Sequence, residues 1–137
     1  MLVRACSAVC AAVFAVAALP AGAADSLPSP VSIDLNESLH LLRTTFYHPI
    51  DDQAILDSAR NALIDAARDH HVRVAIPELH AGDSDDTVAT ALTGEIENVA
   101  AATHVTPTEM AYATIEAMAK SVGDRYTQFF TPDQYKM

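Results

Sequence analysis

Tryptophan is absent from this chain of 137 residues, glycine occurs only four times and cysteine twice. Both cysteines, Cys6 and Cys10, lie in the first ten residues. Aromatic side chains make up 6% of the sequence, which leaves little of the bulky surface that sheets favour, whereas alanine is abundant. Helices are therefore expected. Cations are scarce too: 8 Lys and Arg stand against 18 Asp and Glu, a formal charge of −10. Such an excess of carboxylates repels nucleic acid backbones and anionic lipid, so neither is an expected partner.

The one long apolar run is at the start. Arg4 precedes small and apolar residues over 5–19, interrupted only by Ser7; Pro20 ends the run before Ala21-Gly22-Ala23, a small-x-small cleavage pattern. The expectation is a signal peptide over 1–23 and an exported chain, periplasmic or extracellular, that meets a membrane only during export. The run is short for a membrane span and lacks a second charged flank. Val9 before Cys10 makes a poor lipidation site. Cleavage near Ala23 removes both cysteines, so the mature chain forms no disulfide even in an oxidising compartment. It also removes Arg4, which makes the remainder one unit more negative. About 114 residues remain, enough for one small domain with a core and too few for two.

The segment SLPSP at 26–30 gives a flexible leader over 24–33. From Asp34, the positions Leu35, Leu39, Leu42 and Phe46, widened by Leu41, predict an amphipathic helix. Tyr47-His48-Pro49-Ile50 breaks it. Asp51 or Asp52 then caps a second helix whose face is Ile55, Ala59, Ala62, Leu63 and Ala66 and which runs to about His71. Residues 72–86 read as a loop with a brief extended piece at VRVAI. A third helix after Asp86 uses Val88, Leu92, Ile96 and Val99, with Gly94 as a weakness. The fourth has the clearest start, Thr106 as cap, Pro107 next and Glu109 three residues after the cap. Ala111, Ile115, Met118 and Val122 form its face, and Gly123 ends it. Thr131-Pro132-Asp133-Gln134 opens a fifth. The fold class is thus all-α, a small bundle of about four helices with a fifth begun over 34–137.

Candidate chemistry is sparse. Lys120 and Ser121 are neighbours, and adjacent residues on a helix point about 100° apart, so they cannot serve as a nucleophile and its base. His70 and His71 are adjacent, and His40, His48, His80 and His104 show no ligand spacing, so no metal or cofactor is expected. Asp83-Ser84-Asp85-Asp86 resembles the opening of a calcium loop, but Val88 falls where the turn needs Gly and Gly94 where it needs a bidentate Glu. The acidic run is expected to cap the third helix, and Glu95 and Glu97 to be surface charges. Tyr126, Phe129, Phe130 and Tyr135 concentrate the aromatics in ten residues. They are either buried in the bundle or exposed as a docking patch.

The stretch ATIEAMAKSVGDRYTQFFTPDQY resembles the end of the N-terminal helical region of the carboxyl-terminal processing peptidases, or tail-specific proteases. Ala117-Met118 stands for that family's Gly-Met pair. Gly123-Asp124-Arg125-Tyr126-Thr127 stands for its Leu-Asp-Pro-Tyr/His-Ser/Thr motif, and Thr131-Pro132-Asp133-Gln134-Tyr135 for its Pro-Glu-Glu/Gln-Phe/Tyr ending. Upstream, Tyr47-His48-Pro49-Ile50-Asp51 is similar to the Tyr-Val-Asp-Pro-Val-Asp turn between that region's first helices. Arg125 departs from the usual Pro, Ala117 from Gly, and 72–105 is an insertion.

The resemblance implies a helical region followed in the family by a PDZ domain and a Ser/Lys catalytic domain. No residue here matches a family catalytic position. The expected role is the N-terminal portion of an exported serine peptidase that cleaves near protein C-termini. This portion would pack or assemble, with Tyr126, Phe129, Phe130 and Tyr135 docking on the PDZ and protease domains or another chain. The alternative is a complete small exported helical protein that binds a partner or a second copy of itself through the same patch.

Overall fold

A computed structural model describes residues 25–45, 50–124 and 126–137. The expected signal peptide, Phe46, the Tyr47-His48-Pro49 turn and Arg125 lie outside the described residues. Every regular element among the described residues is a helix: α1 (Ser29–Thr44), α2 (Asp52–Asp69), α3 (Asp85–Thr103), α4 (Pro107–Ser121) and α5 (Pro132–Tyr135). The all-α bundle is what the composition and periodicity imply.

Helix α1 starts at Ser29, inside the stretch expected to be a leader and five residues before Asp34. Pro30 suits a first turn because its missing N–H needs no partner there. Leu27 and Val31 add buried surface, which extends the core-facing stripe backwards through Leu35, Leu39 and Leu42. The Leu27 N–H donates at 2.7 Å to Glu97 Oε1 of α3, so Glu97 anchors the approach to α1 and is not simply a surface charge. Helix α2 is capped by Asp51, whose carboxylate accepts from Gln53 and Ala54 N–H. Its buried face is Ile55, Leu56, Ala59, Leu63 and Ala67, with the expected Ala62 and Ala66 at its half-buried margin. Ser84 caps α3 through the Thr87 N–H, and Thr106 caps α4 through the Glu109 N–H.

Helices α3 and α4 form the central pair, each packed on the other and on both α1 and α2, with the most extensive contact between α2 and α4. The core is apolar apart from Thr103 and Thr114. Each of these hydroxyls donates to the carbonyl four residues back, Val99 at 2.8 Å and Met110 at 2.9 Å, so neither costs an unmade bond.

Two helices end on a left-handed residue that is not glycine. His71 and His104 both have φ of 58°. At the end of α2 the N–H of His71 bonds to Arg68 and that of Val72 to Ala67, the paired return bonds of a Schellman cap. Gly123, at φ 72°, closes α4 without that strain.

Beyond His71, residues 72–84 are an ordered strap. Val72, Val74 and Ile76 alternate inward, and Leu79 is buried after them, so the segment packs on the core without a strand partner. Four of its carbonyls accept from side chains. Arg60 Nε donates to Ile76 O at 2.9 Å and Gln53 Nε2 to Leu79 O at 2.8 Å. Arg43, with only 11% of its side chain exposed, donates from Nη2 to Ala81 O at 2.6 Å and from Nη1 to Asp83 O at 3.2 Å. The same guanidinium meets Asp85 at 2.6 Å and Asp52 at 3.4 Å. One turn earlier on α1, His40 pairs with Asp85 at 2.8 Å, and Asn36 donates to Asp86 at 3.4 Å. The acidic run therefore caps α3 and binds it to α1.

Two outcomes follow from this arrangement. Replacing His71 or His104 with Gly is expected to raise the unfolding free energy by about 0.5–1 kcal/mol, read as a higher urea midpoint, because a left-handed non-glycine residue costs more than the added freedom of the unfolded chain. Arg43→Ala is expected to cost about 2–3 kcal/mol, since it leaves strap carbonyls and Asp85 without their donor. It is also expected to open the strap to trypsin at Arg73. Unchanged cleavage at Arg73 would contradict the role given to Arg43.

Candidate functional site: an aromatic trough beside α1

After Gly123 the chain reverses on Asp124. Its carboxylate accepts from the Tyr126 N–H at 3.0 Å and the Thr127 hydroxyl at 3.3 Å, and its carbonyl from the Thr127 N–H at 3.2 Å. This sends residues 127–131 back along α4 toward α1. Thr131 and Gln134 then bond reciprocally, Thr131 N–H to Gln134 Oε1 at 2.9 Å and Gln134 N–H to Thr131 Oγ1 at 3.3 Å. The capping box expected from the sequence is present, and it fixes the orientation of α5 although that helix is only four residues long.

The four aromatic residues do not share one fate. Phe129 turns inward, packing on the core and meeting Tyr112 of α4 with ring centroids 5.5 Å apart and planes tilted by 43°. Tyr126, Phe130 and Tyr135 face outward, at 77%, 57% and 86% exposed. Phe129 thus positions the segment and the others are presented by it.

An open trough of about 490 Å³ lies between this segment and α1. Asp34, Glu37, Ser38 and Leu41 form one wall and Phe129, Phe130, Pro132, Tyr135 and Lys136 the other. A second depression continues it past Leu41 and Phe129 to Leu42, Thr45, Ile115 and Ala119. The α1 residues follow three- and four-residue spacing, so they lie on one ridge. Leu41, expected only to widen the buried stripe, is 55% exposed and sits at the middle of that ridge. No sequence signal separated it from Leu39 and Leu42, because its role depends on where the C-terminal segment returns.

Among the described residues no histidine lines the trough beside the hydroxyls of Ser38, Thr45, Thr127 and Tyr135, and the acids Asp34 and Glu37 lie at one end. Elsewhere, Lys120 pairs with Glu116 at 2.6 Å and the Ser121 hydroxyl donates to Met118 O at 2.7 Å, so these neighbours engage separate groups. Among the described residues no three His, Cys, Asp or Glu side chains are placed to hold a metal ion. No helix among them is long and apolar enough to cross a membrane. No protein-family model, curated protein or solved structure matches the chain.

Partial burial of the Tyr112 phenol pushes its pKa above the ordinary 10.0, and the nearby charges of Asp34 and Asp133 add to the effect. The folded chain thus keeps this proton to higher pH than the unfolded chain. The resulting stabilisation is complete below the unfolded value and is lost as pH rises through the folded one. Tyr112→Phe keeps the ring against Phe129 and removes the titration. Between about pH 9 and pH 11, urea midpoints should therefore fall less for Tyr112→Phe than for the wild type.

Proposed function

We propose that this chain is a non-catalytic docking module. It acts as the exported helical N-terminal region of a carboxyl-terminal processing serine peptidase, and its aromatic trough packs against or assembles with another protein unit. In the whole enzyme the reaction is hydrolysis of peptide bonds near protein C-termini, with Ser as nucleophile and Lys as base on other domains. The observation that carries the docking role is the outward presentation of Phe130 and Tyr135 beside exposed Leu41, on a segment pinned by Phe129. Exposed apolar side chains grouped in this way mark interaction surfaces. The resemblance of Ala117-Met118, Asp124, Tyr126-Thr127 and Thr131-Pro132-Asp133-Gln134-Tyr135 to the peptidase motifs supports the family assignment.

A second reading keeps the trough and drops the peptidase: an independent exported helical binder. It is favoured by a core in which no buried side-chain polar atom lacks a partner among the described residues.

Two measurements separate these readings. A polarity-sensitive neutral dye should bind the purified chain, and Leu41→Ser with Phe130→Ser should cut its fluorescence by more than half while far-UV dichroism stays unchanged. Unaltered dye binding would remove the docking role. Antibody against the bundle should recover, from the envelope fraction of the native cell, a polypeptide whose peptides extend into a PDZ and peptidase segment. Recovery of these residues alone would leave the independent binder.

A further inference from the structure

We infer that the trough takes a cationic amphipathic helix of a partner protein, with its apolar side chains at the Leu41 end and its Lys or Arg side chains at the Asp34 and Glu37 end. The inference rests on the docking role proposed above and adds the chemistry of the occupant. Along α1 and its C-cap the trough runs from Asp34 to Thr45, eleven steps or about 16 Å of helix, which matches three turns of a partner helix. The width between α1 and the C-terminal segment leaves the trough open rather than enclosed, so it suits side chains projecting from a helix and not a small molecule held on all sides.

Charge sets the polarity of the occupant. Asp34 and Glu37 pair with no cation among the described residues, and the Asp34 charge adds to the effect of burial in raising the pKa of Tyr112. Among the described residues Lys136 is the one cation on the trough wall, and it sits 3.6 Å from Asp133, which offsets it. Among the described residues the apolar end is lined by no charged side chain: Leu41, Leu42, Ile115, Ala119 and Phe129 form it with hydroxyl and amide groups. Glu37 lies about 6 Å and Asp34 about 10 Å along the helix from Leu41. A partner helix that seats apolar residues at i and i+4 would therefore bring cations at i+7, i+8 or i+11 to the two carboxylates. A second copy of this chain suits the trough poorly, because it would bring 18 acids against 18 with only 8 cations on each side.

The probe is a fluorescein-labelled helical peptide of about 14 residues with Leu at i, i+3 and i+4 and Lys at i+7, i+8 and i+11. Its control carries Glu in place of Lys. Fluorescence anisotropy should show binding of the Lys peptide and weaker binding of the Glu peptide. Asp34→Asn with Glu37→Gln should weaken the Lys peptide about fivefold, and raising salt from about 0.05 to 0.5 M should weaken it by a similar factor. Glu78→Gln with Asp65→Asn, two charges removed outside the trough, should leave it unchanged.

Equal binding of the two peptides, or full affinity in Asp34→Asn with Glu37→Gln, overturns the cationic occupant; if Leu41→Ser with Phe130→Ser still abolishes binding, the docking role survives. Retention of the Lys peptide by Leu41→Ser with Phe130→Ser overturns the inference and places the peptide elsewhere on the acidic surface. Absence of binding by either peptide overturns it as well, as does sedimentation showing a dimer that Leu41→Ser disrupts. In that last case a second copy is the occupant.

Discussion

The guanidinium of Arg43 holds four parts of the chain in register: the end of α1, the first turn of α2, the strap and the start of α3. A charge this well shielded would destabilise the fold by several kcal/mol if left unpaired. Asp85 at 2.6 Å offsets most of that cost, Asp52 at 3.4 Å contributes less, and the carbonyls of Ala81 and Asp83 take up two further donors. The arrangement also removes a cost from the strap, whose backbone lies on the core without a ladder partner. A planar fork with five donors can reach carboxylates and carbonyls on different sides at once; a lysine ammonium cannot. With α3 fixed to α1 in this way, the ridge that carries Asp34, Glu37 and Leu41 is set in one place relative to α4, and so is the trough.

The C-terminal segment solves a different problem. A helix of four residues has almost no stability of its own. The Asp124 turn, the Phe129 ring against Tyr112 and the reciprocal Thr131–Gln134 bonds each restrict it at a separate point. Together they hold Phe130 and Tyr135 outward without burying them. The segment therefore presents apolar surface that is already ordered, so the docking proposed above would cost little further entropy.

Features that depend on local chemistry were legible in the sequence. Thr106 with Pro107, Thr131 with Gln134, Asp51 before α2 and Gly123 after α4 all act through neighbours within four residues, and each is found in its expected place. Features that depend on distant partners were not. Nothing near Glu97 signals that it meets Leu27, seventy residues away, and nothing near Arg43 signals the strap carbonyls. The early start of α1 was hidden because SLPSP has the composition of a leader, while the burial that stabilises it comes from Leu27 and Val31 against other helices. The left-handed ends at His71 and His104 went unread because glycine is the usual signal for them. The division of the aromatics into Phe129 inward and Tyr126, Phe130 and Tyr135 outward follows no period that a linear sequence displays.

The order of packing bears on how the chain acquires its shape during synthesis. Helices α1 and α2 come first, yet both rest on α3 and α4, and α4 is the last of these four helices to be made. Until residues 107–121 are available, Leu35, Leu39, Ile55 and Leu63 have no complete surface to pack against. The bundle thus closes late and as a unit rather than vectorially, helix by helix. Until α4 emerges, a growing chain with this dependence leaves the inner faces of its first helices uncovered.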